Sequence, residues 1–304
     1  MSDFFHSGWS IFVAAATIIS LLFCLLVLIV AARRTVMASD NTTGHVWDED
    51  LREMNNPLPR WWMWLFVMTV VFSAVYLALY PGLGSATGLL NWTSEGQHAA
   101  EIAKTRATMA PLYAKFTAKP AEELAKNEQA MGIGQRLYLN NCAQCHGSDA
   151  RGSKGFPNLT DSDWLYGGSH ETIITTLNNG RQGNMPALAA ALGGAADVRN
   201  VSNYVLSLSG SPHNSVAAEL GKPKFAVCAA CHGAEGKGNQ ALGAPNLTDK
   251  VWLHGWGEQA ITQIITQGKV NVMPGQAGRL TPEQIYVLSA YVWSLSQPRV
   301  VAER

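Results

Sequence analysis

Two long apolar segments dominate the first third of the chain. Residues 11–32 read IFVAAATIISLLFCLLVLIVAA and contain no charge, and residues 61–83 begin at Trp61 and carry Tyr80 near their other end. Aromatic side chains gather in this way at the two faces of a membrane. Each segment is long enough to cross a bilayer, which needs about 20 apolar residues. The pattern predicts two transmembrane helices, about 11–32 and 61–83, because buried helices of a soluble protein would keep a polar face.

Basic residues give these two helices an orientation. A cleavable signal peptide would carry positive charge before its apolar core, but no Lys or Arg precedes the first segment, and Arg33 and Arg34 follow it. The loop 33–60 holds four basic residues, and the next one is Lys104. Cytoplasmic loops carry the excess of Lys and Arg. We therefore expect this loop in the cytoplasm and both chain ends on the opposite side, which in a bacterium is the periplasm.

Beyond residue 83 the pattern becomes polar and then repeats. Residues 84–131 mix Ala, Glu and Lys with Pro111 and Pro120, which predicts a connector of short helices broken at the prolines. Two similar segments follow at 132–217 and 218–304. PNLTD occurs at 157–161 and 245–249, and YVLSLS at 204–209 matches YVWSLS at 291–296. The matching segments are 88 and 87 residues apart, and such a nearly constant spacing indicates a duplicated domain.

Apolar positions within the repeats follow the helical period. Ile285, Leu288 and Val292 share one face of a helix that Thr281 can cap. Neither repeat shows convincing strand alternation. The sequence thus predicts an all-α protein, with two N-terminal transmembrane helices followed by two tandem helical domains.

Charge limits the function classes. The 304 residues contain 22 basic and 22 acidic side chains, and this balance argues against a nucleic-acid partner, which usually requires a basic excess.

Four of the five cysteines lie in two Cys-x-x-Cys-His motifs, one in each repeat. Cys24, the fifth, lies in the first apolar segment and is expected to act as a small hydrophobic residue. The motif is the attachment signature of c-type haem, in which both thiols bond to the haem and the histidine binds the iron. A redox-active dithiol, a structural disulfide and a four-thiolate zinc site are the alternatives, but none of them requires the histidines. The motif residues are Cys142, Cys145 and His146, and then Cys228, Cys231 and His232.

Each repeat also contains a single methionine, Met185 and Met273, at similar distances of 39 and 41 residues from the motif histidines. Each precedes a proline, which favours an extended backbone. We expect these methionines to be the sixth ligands of the two irons. A filled His/Met iron transfers electrons and does not readily bind a substrate, so the two domains together predict an electron relay.

Other side chains in the repeats are weaker candidates. Trp164, Trp252 and Arg181 can pack on a haem or meet its propionates, and a plain core role for the tryptophans is equally open. Three histidines could compete as ligands, but none recurs in the other repeat, and we expect them to be surface or haem-edge residues. These histidines are His170, His213 and His254.

The loop between the apolar segments reads TTGHVWDEDLREMNNPLPRWW over residues 42–62. Together with the two haem motifs and the order of spans before haems, this loop resembles the dihaem subunit of cbb3-type cytochrome c oxidase, and the resemblance covers nearly the whole chain. It implies two tandem class I cytochrome c domains, each with one covalent haem c and His/Met ligation. The residues would be Cys142, Cys145, His146 and Met185 in the first domain, and Cys228, Cys231, His232 and Met273 in the second.

The resemblance also implies partners. The subunit would sit in the bacterial inner membrane, accept electrons from a periplasmic soluble c-type cytochrome, and pass them to a monohaem cytochrome subunit. From there they would reach the catalytic haem-copper subunit, which reduces oxygen and pumps protons. This chain would have no catalytic centre of its own. The alternatives are a membrane cytochrome subunit of a periplasmic dehydrogenase, and an enzyme or gas sensor with an open haem.

Overall fold

A computed structural model describes residues 6–33, 39–56 and 58–297 of the chain. The chain divides into two compact units, residues 1–108 and 109–304, and each is described by itself. Arg34 and Pro57, which belong to the predicted cytoplasmic loop, lie outside the described residues, as do the last residues of the second repeat.

The first unit contains the two apolar helices, α1 (Ser7–Ala32) and α2 (Arg60–Leu79). Neither buries a residue against the rest of the chain, and both are long and apolar enough to cross a membrane. At 1.5 Å per residue, α1 is about 39 Å long and α2 about 30 Å. Helix α2 ends before the predicted limit because Tyr80 precedes Pro81 and takes an extended backbone.

A β-hairpin that the sequence did not predict lies between these helices. Strands β1 (Thr42–Trp47) and β2 (Leu51–Met54) pair antiparallel, with Trp47 opposite Leu51. Asp48, Glu49 and Asp50 form its turn, in which Asp48 and Glu49 have φ of 50° and 72°, a left-handed backbone that is uncommon outside glycine.

The remaining elements follow the second span. Helix α3 (Ser94–Thr117) contains Pro111 in its interior, so the expectation that this proline breaks the connector was wrong. Pro111 is exposed, and the carbonyl that loses its hydrogen bond can face solvent. Pro120 does precede a new helix. The other elements are α4 (Ala121–Leu124), α5 (Glu128–Asn141), α6 (Ala143–His146), α7 (His170–Asn179), β3 (Gly180–Met185), α8 (Ala189–Leu192), α9 (Ala195–Leu208), α10 (Ser215–Gly221), a 3-10 turn (Lys222–Phe225), α11 (Ala226–His232), α12 (Glu258–Gln267), β4 (Lys269–Pro274) and α13 (Pro282–Leu295).

The second unit is built around two haem-motif cores that do not coincide with the two repeats. What we call the first core joins helices α5 and α7 of the first repeat to α13 of the second repeat. What we call the second core joins α8 and α9 of the first repeat to α11 and α12 of the second, and α10, which crosses the boundary between the repeats, packs on α9. The buried residues of the first core are Tyr138, Ala150, Ile173, Leu177, Leu280, Ile285, Leu288 and Val292. Those of the second core are Leu192, Val198, Val201, Val205, Leu206, Phe225, Cys228, Ile261 and Ile265.

Two glycines allow the helices of each core to cross closely. A Cβ at Gly134 of α5 would collide with Tyr291 of α13, and a Cβ at Gly221 of α10 would collide with the backbone of Asn200 in α9.

The two cores also differ in how the chain builds them. The second core uses one continuous stretch of chain, roughly from β3 to β4, while the first core uses the chain on either side of that stretch.

The chain passes between the two cores along β3 and β4. These strands pair antiparallel, with Gly180 opposite Pro274 and Met185 opposite Lys269. The sequence shows no convincing strand alternation in either repeat, yet each repeat supplies one short strand whose partner lies in the other repeat. The all-α prediction is confirmed, because helices form both cores.

Candidate haem sites

The two Cys-x-x-Cys-His motifs form matching helical turns. In the first, Cys142 caps α5, and α6 ends at His146 because Gly147 has a φ of 80°. In the second, α11 ends at His232 because Gly233 has a φ of 79°. A single helical turn places residues three and four apart on one face, so each motif presents its thiols and its imidazole together.

The PNLTD segments orient the two imidazole rings. Nδ1 of His146 lies 3.0 Å from the carbonyl oxygen of Pro157, and Nδ1 of His232 lies 3.0 Å from that of Pro245. A carbonyl oxygen only accepts hydrogen bonds, so Nδ1 carries the proton and Nε2 keeps its lone pair. This is the tautomer that binds a metal through Nε2.

An identical turn supports each proline carbonyl. Oδ1 of Asn158 accepts hydrogen bonds from the backbone nitrogen and hydroxyl of Thr160, at 2.9 and 2.8 Å. Asn246 makes the same pair of bonds to Thr248, at 3.0 and 2.8 Å. The sequence revealed the PNLTD repeat, but its role in holding the histidine was missed, since that role depends on a contact 11 or 13 residues away.

The thiols do not resemble those of a redox-active dithiol. Cys142 packs against the first core and Cys228 lies inside the second, while Cys145 and Cys231 are exposed. Burial raises the pKa of Cys142 to about 11 and also raises the pKa of Cys228. A redox dithiol needs a lowered pKa. The two pairs also lie in different cores, which argues against a shared four-thiolate zinc site.

The two methionines lie where their strands reach the cores. Met273 packs against the first core, as do Cys142 and Trp164. Met185 packs against the second core, which contains Cys228. Both have the predicted extended backbone, at the ends of β3 and β4. The packing differs from the expected pairing within each repeat, because β3 and β4 carry each methionine into the core that holds the other repeat's motif.

The three competing histidines have other partners. His170 is only 8% exposed, and its Nε2 lies 2.8 Å from Oγ of Ser289 on α13. The expectation of a surface position was therefore wrong for His170, which lies between helices, and a role at a haem edge stays a prediction. Nδ1 of His213 lies 2.7 Å from the carbonyl of Ser211, and Nε2 of His254 accepts from the amide of Asn271 at 2.8 Å.

Polar groups near the cores lack partners. Trp252 packs against the second core, and its Nε1 is buried without a hydrogen-bond partner among the described residues, as is the hydroxyl of Tyr166. Such groups are rare in folded proteins unless a bound molecule or water completes them. The guanidinium of Arg181 lies 4.6 Å from the centre of the Tyr166 ring. The unpartnered donors and the free Nε2 atoms fit a haem with its carboxylate groups.

Two apolar spans followed by paired Cys-x-x-Cys-His cores define a membrane-anchored cytochrome c protein. Two family models match the chain. The N-terminal domain of cytochrome oxidase-cbb3, FixP, matches residues 39–87. Subunit III of cbb3-type cytochrome c oxidase matches twice, at 129–205 and 223–292.

Curated relatives agree with the family models. The chain is 68% identical to the cbb3-type cytochrome c oxidase subunit CcoP of Rubrivivax gelatinosus over all of both chains. It is 41% identical to subunit FixP of Azorhizobium caulinodans, over 84% of this chain and 92% of that one. It is 36% identical to subunit CcoP of Cereibacter sphaeroides, over 84% of this chain and 94% of that one. The chain belongs to the CcoP/FixP family, subunit III of cbb3-type cytochrome c oxidase. It is a haem c electron-transfer subunit of that oxidase, and the resemblance of its loop and motifs is confirmed.

Proposed function

We propose that this chain holds two haems c and relays electrons through them to the rest of the oxidase. Cys142 and Cys145 would attach the first haem and Cys228 and Cys231 the second, each through two thioether bonds. His146 and His232 would bind the irons from one side, and Met185 and Met273 from the other. A haem with both axial positions filled takes up and releases an electron without binding a substrate.

One observation carries this proposal. The same histidine–proline carbonyl bond occurs twice, each time directly after a Cys-x-x-Cys pair. It fixes both rings with Nε2 free, which a redox dithiol, a disulfide or a zinc thiolate site would not need. The membrane helices support anchoring beside other membrane subunits of the oxidase.

Haem content tests the cofactor part of the proposal. We expect two haems per chain, and both should stay with the chain under denaturing conditions because they are covalently attached. The variant Cys228→Ala/Cys231→Ala should retain one haem, and the control Cys24→Ala should retain both. Haem that separates from the denatured wild-type chain would contradict covalent attachment.

Partners are part of the same proposal. We propose that a soluble periplasmic c-type cytochrome donates electrons, and that the monohaem and catalytic haem-copper subunits receive them. The second haem domain would meet the donor, since the first follows the membrane anchor more closely in sequence. The complex purified in mild detergent should contain a b-type haem-copper subunit and show cyanide-sensitive oxygen uptake with reduced cytochrome c. Purification with a dehydrogenase in place of the oxidase would contradict the relay assigned here.

The orientation is also proposed. The hairpin of β1 and β2 would face the cytoplasm, and both chain ends and the haem domains the periplasm of a bacterium. The exposed residues Asp50 and Lys104 offer reporters on the two sides. A membrane-impermeant thiol reagent applied to spheroplasts should label Lys104→Cys and leave Asp50→Cys unlabelled until the cells are lysed. The reverse pattern would overturn the orientation.

A further inference from the structure

We propose that the two repeats exchange their axial methionines. Met273 would bind the iron of the haem held by Cys142, Cys145 and His146. Met185 would bind the iron of the haem held by the second motif. This inference rests on the proposed His/Met ligation and adds which methionine serves which haem.

The packing of the methionines is the first support. Met273 contacts the core against which Cys142 packs, and Met185 contacts the core that contains Cys228. His146 accordingly shares its core with the methionine of the second repeat. The sequence spacing would have paired it with Met185.

The register of β3 and β4 supports the same assignment. Gly180 ends helix α7 of the first core and lies opposite Pro274, next to Met273. Met185 lies five residues further along β3, which at about 3.3 Å per residue is about 17 Å from Gly180. A methionine sulfur extends only about 4 Å from its Cα, given ordinary bond lengths. The strand therefore carries Met185 away from the end of α7 while it brings Met273 there.

Backbone contacts fix the chain just after each methionine. The backbone nitrogen of Leu188 donates to the carbonyl of Ile265 in α12, at 2.9 Å, and the nitrogen of Gln276 donates to Leu177 in α7, at 2.7 Å. A Cβ at Gly180 would collide with the carbonyl of Met273. Each methionine segment is thus docked on the helix that precedes the other repeat's strand.

The exchange makes the two haem sites one interlocked unit. Neither repeat contains a complete set of ligands and core helices, since α13 closes the core of α5 and α7, and α9 closes the core of α12. A change at the methionine or the closing helix of one repeat should consequently affect the haem attached to the other repeat.

Pairs of ligand variants test the assignment. Low-spin ferric haem shows a near-infrared charge-transfer band when histidine and methionine sulfur are its two ligands, so the loss of either ligand removes the band. The wild-type subunit should show the band of two such haems. His146→Ala/Met273→Leu should keep half of this band, because both changes affect the first haem. His146→Ala/Met185→Leu should lose all of it, because one change affects each haem. Carbon monoxide should bind to at most one haem per chain in His146→Ala/Met273→Leu. It should bind to both haems in His146→Ala/Met185→Leu, provided that both haems stay attached.

A mirror pair controls for effects peculiar to His146. His232→Ala/Met185→Leu should keep half of the band, and His232→Ala/Met273→Leu should lose it. The same outcomes hold if loss of a histidine prevents attachment of its haem. If the outcomes of each pair are interchanged, the repeats do not exchange methionines. If the wild-type subunit shows no methionine band, the ligand assignment in the proposed function fails instead.

A disulfide test needs no haem signal and covers variants that fold poorly. Oγ of Ser202 on α9 lies 3.0 Å from Oγ1 of Thr262 on α12, so Ser202→Cys/Thr262→Cys should cross-link on oxidation. Ile174 of α7 is the position equivalent to Thr262 of α12, because each directly follows the first buried isoleucine of its helix, Ile173 or Ile261. Ser202→Cys/Ile174→Cys would be the cross-linking pair if α9 packed within its own repeat, and we expect it to remain reduced. Cross-linking of the Ile174 pair in place of the Thr262 pair would overturn the exchange.

Discussion

Leu288 offers a quantitative test of how the first core is closed. It lies on α13 in the second repeat, is 0% exposed, and belongs to the cluster that contains Tyr138, Ile173 and Leu177 of the first repeat. Leu288→Ala removes three carbon atoms from this cluster, worth roughly 2.4 kcal/mol of lost burial at about 0.8 kcal/mol per methylene. The cavity that remains adds to this cost, so we expect the free energy of unfolding to fall by about 2–5 kcal/mol.

Guanidinium unfolding of the purified subunit in detergent measures this change. The shift of the midpoint multiplied by the m-value gives the difference in free energy. Leu220→Ala is the matched control, because Leu220 lies on α10 with 58% of its surface exposed. The control should change the free energy by no more than about 0.5 kcal/mol. If Leu288→Ala costs less than about 1 kcal/mol, or no more than the control, α13 does not close the first core.

Three further perturbations follow from single contacts. Asn158→Ala removes the turn that presents the Pro157 carbonyl to His146, and we expect it to shift the reduction potential of the first haem alone in a redox titration; an equal shift of both haems would contradict this. Burial, with Lys269 and Lys154 nearby, lowers the pKa of His254, so the folded subunit favours the neutral ring. The stability that depends on this neutral ring is fully present above the ordinary histidine pKa of about 6.5 and is lost as the pH falls below 6.5. Between about pH 7.5 and pH 5, His254→Gln should therefore lose less thermal stability than the wild-type subunit, and equal losses would count against a buried neutral His254. Pro111→Ala restores a helical hydrogen bond in α3, and we expect a rise in stability of about 1–3 kcal/mol in denaturant unfolding, with no rise as the contrary result.

The hairpin between the spans shows what the sequence could not reveal in the membrane unit. Local composition predicted both spans within a few residues, because apolar length depends on nothing outside the segment. The acidic turn was visible as charge, but its geometry depends on a left-handed backbone at Asp48 and Glu49. Neither residue type demands that conformation.

Pro111 and His170 show a similar limit in the second unit. A proline usually ends a helix, and only its exposed position in α3 explains why it does not do so here. His170 was predicted to lie at the surface or at a haem edge because no counterpart exists in the second repeat. Its burial follows from contact with Ser289, which lies 119 residues away.

The sequence by itself determined the membrane helices and the haem motifs, because each depends on residues a few positions apart, and it determined the duplicated domain, because similar segments recur at a nearly constant spacing. Tertiary structure decided which methionine meets which motif. The two repeats carry similar local signals, and these signals do not specify which core α9 or α13 closes. Pairing of β3 with β4, together with the short connection from α9 to α10, selects the exchanged arrangement. Packing between segments that are distant in sequence determines the exchanged arrangement, and the hydrophobic pattern within one repeat does not predict it.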